Sequence, residues 1–386
     1  MAAVAAAAML ASACTRVVSD VPARLPSRVR GWLHVDGQRI VDDAGRTVDL
    51  RGIQVPGMAS GSGYPRRDLP AGACGGWSTP GPATYDSIAR WGFNFVRVGI
   101  SWSNLEPTPP LGVGSGPPVH HYNAGYVEAL DRLIHQFSVR GVAVVLEMAQ
   151  SKWSPAFKNV PTSTGVVCEG YGMPGWLYPS TGITIPQAKL SFFGSPEVQD
   201  EYGAAWRFIA QRYSTDPSVV GLDLVNEPYL PRKLSPTLLH LDDFYLRLGA
   251  AIRSVNQRAL LLFQDSSSAP DVPSGLTRPP PFAGVVYTFH LYTPRWRPEG
   301  LGLMQSYQAR ARAWKVPLLM TEFNAFGYAS THDSNPDWTA QVGQLLAYCR
   351  QQGVGWSFHG YGGGKLLIPD TNRTRPGLLP AIQAGF

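Results

Sequence analysis

Residues 219–229 read VVGLDLVNEPY. An apolar, strand-like run ends abruptly in Asn226-Glu227-Pro228. A strand that is apolar along its length, rather than alternating, is one buried on both faces, as in a parallel sheet. A carboxylate emerging from such a strand is costly to bury unless it is used or paired. Runs of the same kind recur on both sides: VDLRGI (48–53), FNFVRVGI (93–100), VAVVLEM (142–148), ALLLF (259–263), GVVYTFH (284–290), PLLMTEF (317–323) and GVGWSFH (353–359). With 219–226 they make eight.

The spacing predicts amphipathic helices between most of them. Tyr126 to Arg140 places Val127, Leu130, Leu133, Ile134 and Phe137 on one face. Glu197 to Tyr213, Pro236 to Gln257, and Asp337 to Gln352 with Gly353 as its stop are similar. Eight buried strands alternating with helices predict an α/β fold, a (β/α)8 TIM barrel. A doubly wound sheet is the alternative, but no Gly-rich phosphate loop follows any strand. Ahead of the first run, WLHVDGQRIVDDAGRTVDL (32–50) reads as a short β-hairpin around Asp42, Asp43, Ala44 and Gly45. Residues 32–386 are expected to form one domain.

Polar groups gather at the strand ends. Glu227 closes the fourth run and Glu322 the seventh, so the two face one another across the barrel mouth. Arg97 lies in the second run, His290 and Tyr292 close the sixth, and Trp356 lies in the eighth. Two opposed carboxylates are the minimal equipment for glycoside hydrolysis: one protonates the leaving oxygen, the other attacks the anomeric carbon. Mutual repulsion is expected to raise the pKa of one of them, which suits it as the acid.

The chain has 386 residues, 44% of them hydrophobic and 16% charged, which excludes a disordered chain. There are 41 Gly and 34 Pro without a Gly-X-Y period, which points to long ordered loops. Two connections fit: Gln54 to about Pro80, and Ala149 to about Pro196. They follow the C-terminal ends of the first and third strands, the face where barrel active sites are built. Trp77, Trp153 and Trp176 lie in them and read as walls of a cleft. The net charge is +6, and Arg16, Arg24, Arg28 and Arg30 against Asp20 concentrate half of it in the first 30 residues. No basic face remains for nucleic acid.

Residues 1–31 read as an export leader and Pro/Arg linker. MAAVAAAAMLASA (1–13) is too short to span a bilayer but suits the apolar part of a secretory signal, although no Lys or Arg precedes it. Leu10 to Cys14, LASAC, resembles a lipobox, so lipidation of Cys14 and a tether to the outer side of a membrane are expected alternatives to simple secretion.

Together LRGIQ (50–54), GFNFVRVGISW (92–102), LVNEPY (224–229), YTFHLY (287–292), LLMTEF (318–323) and GWSFH (355–359) resemble glycoside hydrolase family 5, in the clan of retaining barrel glycosidases. The resemblance runs from about Trp32 to the C-terminus. It implies Glu227 as acid/base and Glu322 as nucleophile. Asn226 then binds the sugar 2-hydroxyl, Arg97 and Tyr292 orient Glu322, His290 supports the acid/base, and Trp356 forms the sugar platform. Two departures stand out. Glu147-Met148-Ala149 occupies the place of an Asp-x-His pattern, and Gln54 that of a common Asn. With the His absent, Gln150, Ser151 or Lys152 could supply a contact from the same loop. The hairpin before LRGI and the Trp-rich third loop are similar to the endoglycosylceramidase-like branch. Trp153, Trp176, Phe192 and Phe193 could stack sugars or line an apolar groove.

The expectation is a monomeric retaining β-glycosidase with no metal or organic cofactor, acting on β-linked oligosaccharides, polysaccharides or glycolipids. The competing class is a catalytically inactive carbohydrate-binding barrel of the cell envelope. Cys74 and Cys168, one in each long loop, could form a bridge in an exported protein. Cys349 reads as a core thiol, His120-His121 as a solvated loop with no third metal ligand, Trp102 as either cleft wall or packing, and Asn372-Arg373-Thr374 as a chance sequon.

Overall fold

The computed structural model describes residues 28–386 apart from 56–57, 60–76, 78, 113–117, 151–152, 158, 163–164, 169–171, 179–181, 232–233, 269–271, 274, 293–297, 325–337, 362–365 and 368–372. The leader, Cys14, Cys74, Ser151, Lys152 and Asn372 lie outside the described residues, as does the Cys168 side chain.

Eight parallel strands close into a barrel. They are β1 (Arg51–Val55), β2 (Phe95–Ile100), β3 (Ala143–Met148), β4 (Val219–Asp223), β5 (Leu260–Gln264), β6 (Val285–Leu291), β7 (Leu318–Phe323) and β8 (Gly355–Phe358). Each falls on one of the eight apolar runs. The ring closes where β8 pairs with β1, Trp356 opposite Arg51. Helices α1 (Pro82–Trp91), α2 (Ala124–Ser138), α3 (Pro196–Arg212), α4 (Leu241–Arg253), α5 (Pro298–Trp314) and α6 (Trp338–Gln352) link the strands, and α7 (Leu378–Gln383) follows β8. Two starts are capped by side chains: Asn123 accepts from the Tyr126 amide ahead of α2, and Ser195 from the Val198 amide ahead of α3.

The expected helix from Pro236 to Gln257 is divided. A 3-10 turn, Pro236–Leu239, ends at His240, whose left-handed φ of 45° re-aims the chain into α4. Between β5 and β6 the described residues form no helix. Asp265 holds that connection instead, accepting from the amides of Gly275 and Leu276, from the Tyr287 hydroxyl and from Arg310.

The N-terminal hairpin pairs Leu33–Asp36 with Arg39–Asp42 and turns at Gly37-Gln38. The Asp42–Gly45 stretch makes a second turn that brings Val48 back to bond Ile40. Leu33, Ile40, Val48 and Leu50 pack with Phe95, Leu260 and Val286 and so plug the N-terminal end of the barrel. Gly52 of β1 makes room there: a Cβ on it would stand 2.4 Å from the Phe95 ring.

Inside the barrel the side chains alternate with period two. Phe95, Val145, Leu262 and Val286 fill the lower layers of their strands. Two positions on, the same face carries Arg97, Glu147, Gln264 and Thr288, with His290 two further along β6. The lumen is thus apolar at the floor and polar at the mouth. In β7 the register with β6 slips after Met320, so that His290 pairs with Glu322 and Thr321 is the extra residue. That bulge turns Glu322 inward, three residues after Leu319 rather than two.

Candidate active site

Arg97 is the hub of the mouth and is fully buried. Its Nε donates to Asp223 Oδ2 at 2.9 Å, Nη2 to Asn226 Oδ1 at 3.0 Å, and Nη1 to Glu322 Oε1 at 2.5 Å and Gln54 Oε1 at 3.3 Å. Glu147 Oε2 lies 3.0 Å from Nη1 and accepts from Gln54 Nε2 at 3.1 Å. Burial alone would lower the pKa of this guanidinium. The carboxylates of Glu147, Asp223 and Glu322 outweigh it, so the charge is permanent. Gln54 accepts from one partner and donates to the other, bridging Arg97 and Glu147.

Glu322 has a donor at each oxygen: Arg97 at Oε1 and the Tyr292 hydroxyl at Oε2. Burial would raise its pKa, but His290, His359, Arg97 and the Tyr292 hydrogen bond hold it well below the usual carboxylate range. Since Tyr292 donates to Glu322, the 2.8 Å contact between its oxygen and His359 Nδ1 requires the imidazole to donate. His359, at the end of β8, therefore orients Tyr292. Burial is the main influence lowering the pKa of His359.

Glu227 is placed differently. Its side chain is 23% exposed against 6% for Glu322. Its Oε1 is 2.7 Å from His290 Nδ1. The residue adopts a left-handed φ of 43°, an unfavourable conformation for a Cβ-bearing residue that its surroundings must enforce. They do so on both sides: Gln264 Oε1 accepts from the Glu227 amide at 2.8 Å, and Lys189 Nζ donates to the Tyr229 carbonyl at 2.9 Å. Gln150 Nε2 donates to the Asn226 carbonyl. One oxygen of Glu227, one of Glu322 and a nitrogen of His290 all lie within 4.8 Å of one another. Both Glu322 oxygens are already engaged, by Arg97 and Tyr292, and Glu227 Oε1 by His290.

Arg97, Asn226, Glu227, His290, Tyr292 and Glu322 thus converge, and Gln150 braces them. Three expectations need correction. Trp356 is 1% exposed, stacked on Phe386 at 5.7 Å with its edge partners Phe93 and Phe323. It points outward from β8 into the helix layer and presents no face to a sugar. Trp356→Ala should therefore cost about 3–5 kcal/mol of stability. The folded fraction should keep its kcat/KM, and denaturant melts paired with active-site titration would separate the two effects. Trp153 is likewise buried, donating to Tyr178 at 2.7 Å with Lys189 over its ring, and it interlocks with Phe192 and Phe193. Half-buried Trp176 donates to the Glu106 carbonyl. These rings stiffen the loop after β3 from within instead of lining a groove, because they gain more by burying one another. His120 is no solvated loop residue: Nδ1 is 2.7 Å from buried Glu106 and Nε2 is 3.6 Å from Glu201. Trp102 is fully buried and donates to Glu106, and Cys349 is a buried free thiol.

Reading the residues alone did not single out Asp223, Gln264 or His359. For Gln264, as for Arg97 and Glu147, the period-two alternation within each run was the available signal.

The cellulase model, glycosyl hydrolase family 5, matches residues 41–364. Endoglycoceramidase I of Rhodococcus hoagii is 26% identical, over 87% of this chain and 69% of the relative. An endoglucanase of Paenibacillus polymyxa is 24% identical over 61% of this chain, which spans about half of that relative's length, 50%. Among solved structures, the lactosyl-enzyme intermediate of endo-glycoceramidase II from Rhodococcus sp. superposes with a TM-score of 0.69 at 26% identity, covering 89% of this chain and 80% of that one.

Proposed function

The chain belongs to the cellulase family, glycosyl hydrolase family 5, and from that premise we propose that Glu322 is the nucleophile and Glu227 the acid/base of a retaining β-glycosidase that prefers amphiphilic β-glycosides. The observation that carries the catalytic reading is that one oxygen of Glu227 lies within 4.8 Å of one oxygen of Glu322. Retaining enzymes place the pair about 5–5.5 Å apart, whereas an inverting enzyme needs about 6.5–9.5 Å to admit a water.

The roles follow from the surroundings. Glu322, ionised and held at both oxygens, attacks the anomeric carbon. Glu227, more exposed and beside His290, gives its proton to the leaving oxygen. The glycosyl-enzyme ester is then opened by water, whose proton returns to Glu227. Asn226, fixed by Arg97 and Gln150, offers its amide nitrogen to the sugar. A barrel that merely bound carbohydrate would have no use for opposed carboxylates, one of them clamped ionised.

Two features support short or amphiphilic substrates over long polysaccharide. The similarity to endoglycoceramidases spans most of the chain. The loop after β3 is stiffened by a packed aromatic cluster and touches the site through Gln150, which donates to the Asn226 carbonyl. Ala149 stands where a His is usual, and its Cβ would lie 3.3 Å from a Cβ built on Gly99, so it supplies no hydrogen bond at this point. The test is a panel of β-glycosides with apolar aglycones against soluble β-glucan and mannan, with Glu322→Gln as blank. The amphiphiles should show the higher kcat/KM, by about tenfold if a single hydrogen bond decides. Ala149→His should shift the ratio toward the glucan. Efficient cleavage of long glucan with negligible rate on the amphiphiles would sink the preference and leave the catalytic assignment standing.

A further inference from the structure

The mouth of the barrel holds one carboxyl more than double displacement and strand bracing explain. Arg97 faces three buried carboxyls, Glu147, Asp223 and Glu322, within 3.0 Å of each. Nη1 is contested: Glu322 Oε1 is 2.5 Å from it and Glu147 Oε2 3.0 Å. If all three were ionised, two negative charges would remain uncompensated in a dry site, which is costly. A proton on one of them relieves this. Glu322 is the least suited to carry it, because a donor addresses each of its oxygens. Asp223 takes the Nε hydrogen bond directly at Oδ2; burial raises its carboxyl too, but the Arg97 charge and that hydrogen bond both oppose the rise. Glu147 shares its Oε2 between Gln54 and a nitrogen already committed to Glu322.

The groups facing Glu147 come from five other elements. They are Arg97 on β2, Asp223 at the end of β4, Glu227 just beyond it, Glu322 on β7, neutral Gln54 on β1 and the phenol of Tyr202 on α3. Burial is the largest influence on the Glu147 carboxyl. Arg97 opposes it, the three other carboxylates add to it, and the pKa is pushed up to about 8.

We propose that Glu147 is a positioning residue for the reaction, neutral in the working enzyme, whose ionisation draws Arg97 away from Glu322 and sets an upper pH limit on nucleophilic attack. The proposal rests on Glu322 being the nucleophile. While Glu147 is neutral, the guanidinium charge is divided between Asp223 and Glu322. Once it ionises, the same Nη1 serves two anions, and a third charge lies close to the attacking carboxylate.

The experiment removes Glu227 from the pH profile. In a Glu227→Ala background, kcat/KM is measured against pH for 2,4-dinitrophenyl β-cellobioside, whose leaving group needs no proton. The expected curve falls on the alkaline side near pH 8. Adding Glu147→Gln should move that fall upward by about one pH unit or more. A second readout needs no turnover. A raised folded-state pKa gives stability that is full below the unfolded carboxyl value, about 4.3, and is lost as pH rises through the folded value. The melting temperature of the parent should therefore drop relative to Glu147→Gln between about pH 4 and 8. An unmoved alkaline limb, or a melting difference that does not change with pH, overturns the proposal. So does a loss of about a hundredfold at every pH in a fully folded Glu147→Gln, since that shows the ionised form to be what holds Arg97. If native enzyme fails to cleave the cellobioside at any pH, the catalytic reading is what fails for that substrate, and the melting series still decides the charge on Glu147.

Discussion

Glu322→Ala is expected to leave no measurable turnover, a loss on the order of 10^4-fold or more in kcat, because the carboxylate that would form the glycosyl-enzyme bond is gone. The neighbours make the assignment specific. Arg97 and Tyr292 each donate to one oxygen of Glu322. Removing the carboxylate also leaves the buried guanidinium with two carboxyls, Glu147 and Asp223, so the fold should tolerate the change. Circular dichroism and melting should be near native while activity is absent. Intact-protein mass spectrometry with a 2-fluoro glycoside should label native enzyme and not the variant. Labelling of Glu322→Ala, or activity within about tenfold of native, would place the nucleophile elsewhere.

Glu227→Ala is expected to separate substrates by their leaving groups. With unactivated glycosides kcat/KM should fall by about 10^2–10^4-fold, the usual worth of general acid catalysis. With dinitrophenyl glycosides the first step should be nearly spared and hydrolysis of the covalent intermediate should become limiting. Azide should then restore part of kcat and yield a glycosyl azide of retained configuration, because a small anion needs no base to attack. If the substrate dependence instead appears in the Glu322 variant, the two roles are exchanged.

The barrel was legible in the sequence because its strands are apolar on both faces and carry their chemistry at one end. All eight runs named strands, with edges displaced by a few residues. The division of the helix at His240 was hidden, since a left-handed residue followed by a new helix leaves the apolar spacing intact. So was the connection between β5 and β6, where the described residues form no helix and Asp265 holds the chain by hydrogen bonds. At the mouth, Asn226, Glu227, His290, Tyr292 and Glu322 stand out by their place at strand ends, and Arg97 as a charge inside an apolar strand. Trp356 was misjudged because strand position alone does not say which face a side chain takes. Phe93 and Phe386, far apart in the chain, form the outer pocket that claims it. The charge shared by Glu147 and Asp223 could not be read either, since it depends on three strands meeting at one guanidinium.

The pairing of β8 with β1 has a consequence for how the molecule comes into being. The first barrel strand waits for the last, so the ring cannot close until β8, about 300 residues after β1, has been synthesised. Any shorter piece leaves two raw sheet edges open to other chains. Such long-range pairing makes for slow folding. The residues that converge on Arg97 come from strands one, two, three, four and seven, and they meet only in the completed ring. Catalytic competence is thus acquired at the last step of folding, and a nascent or truncated chain would carry every residue of the site without possessing the site.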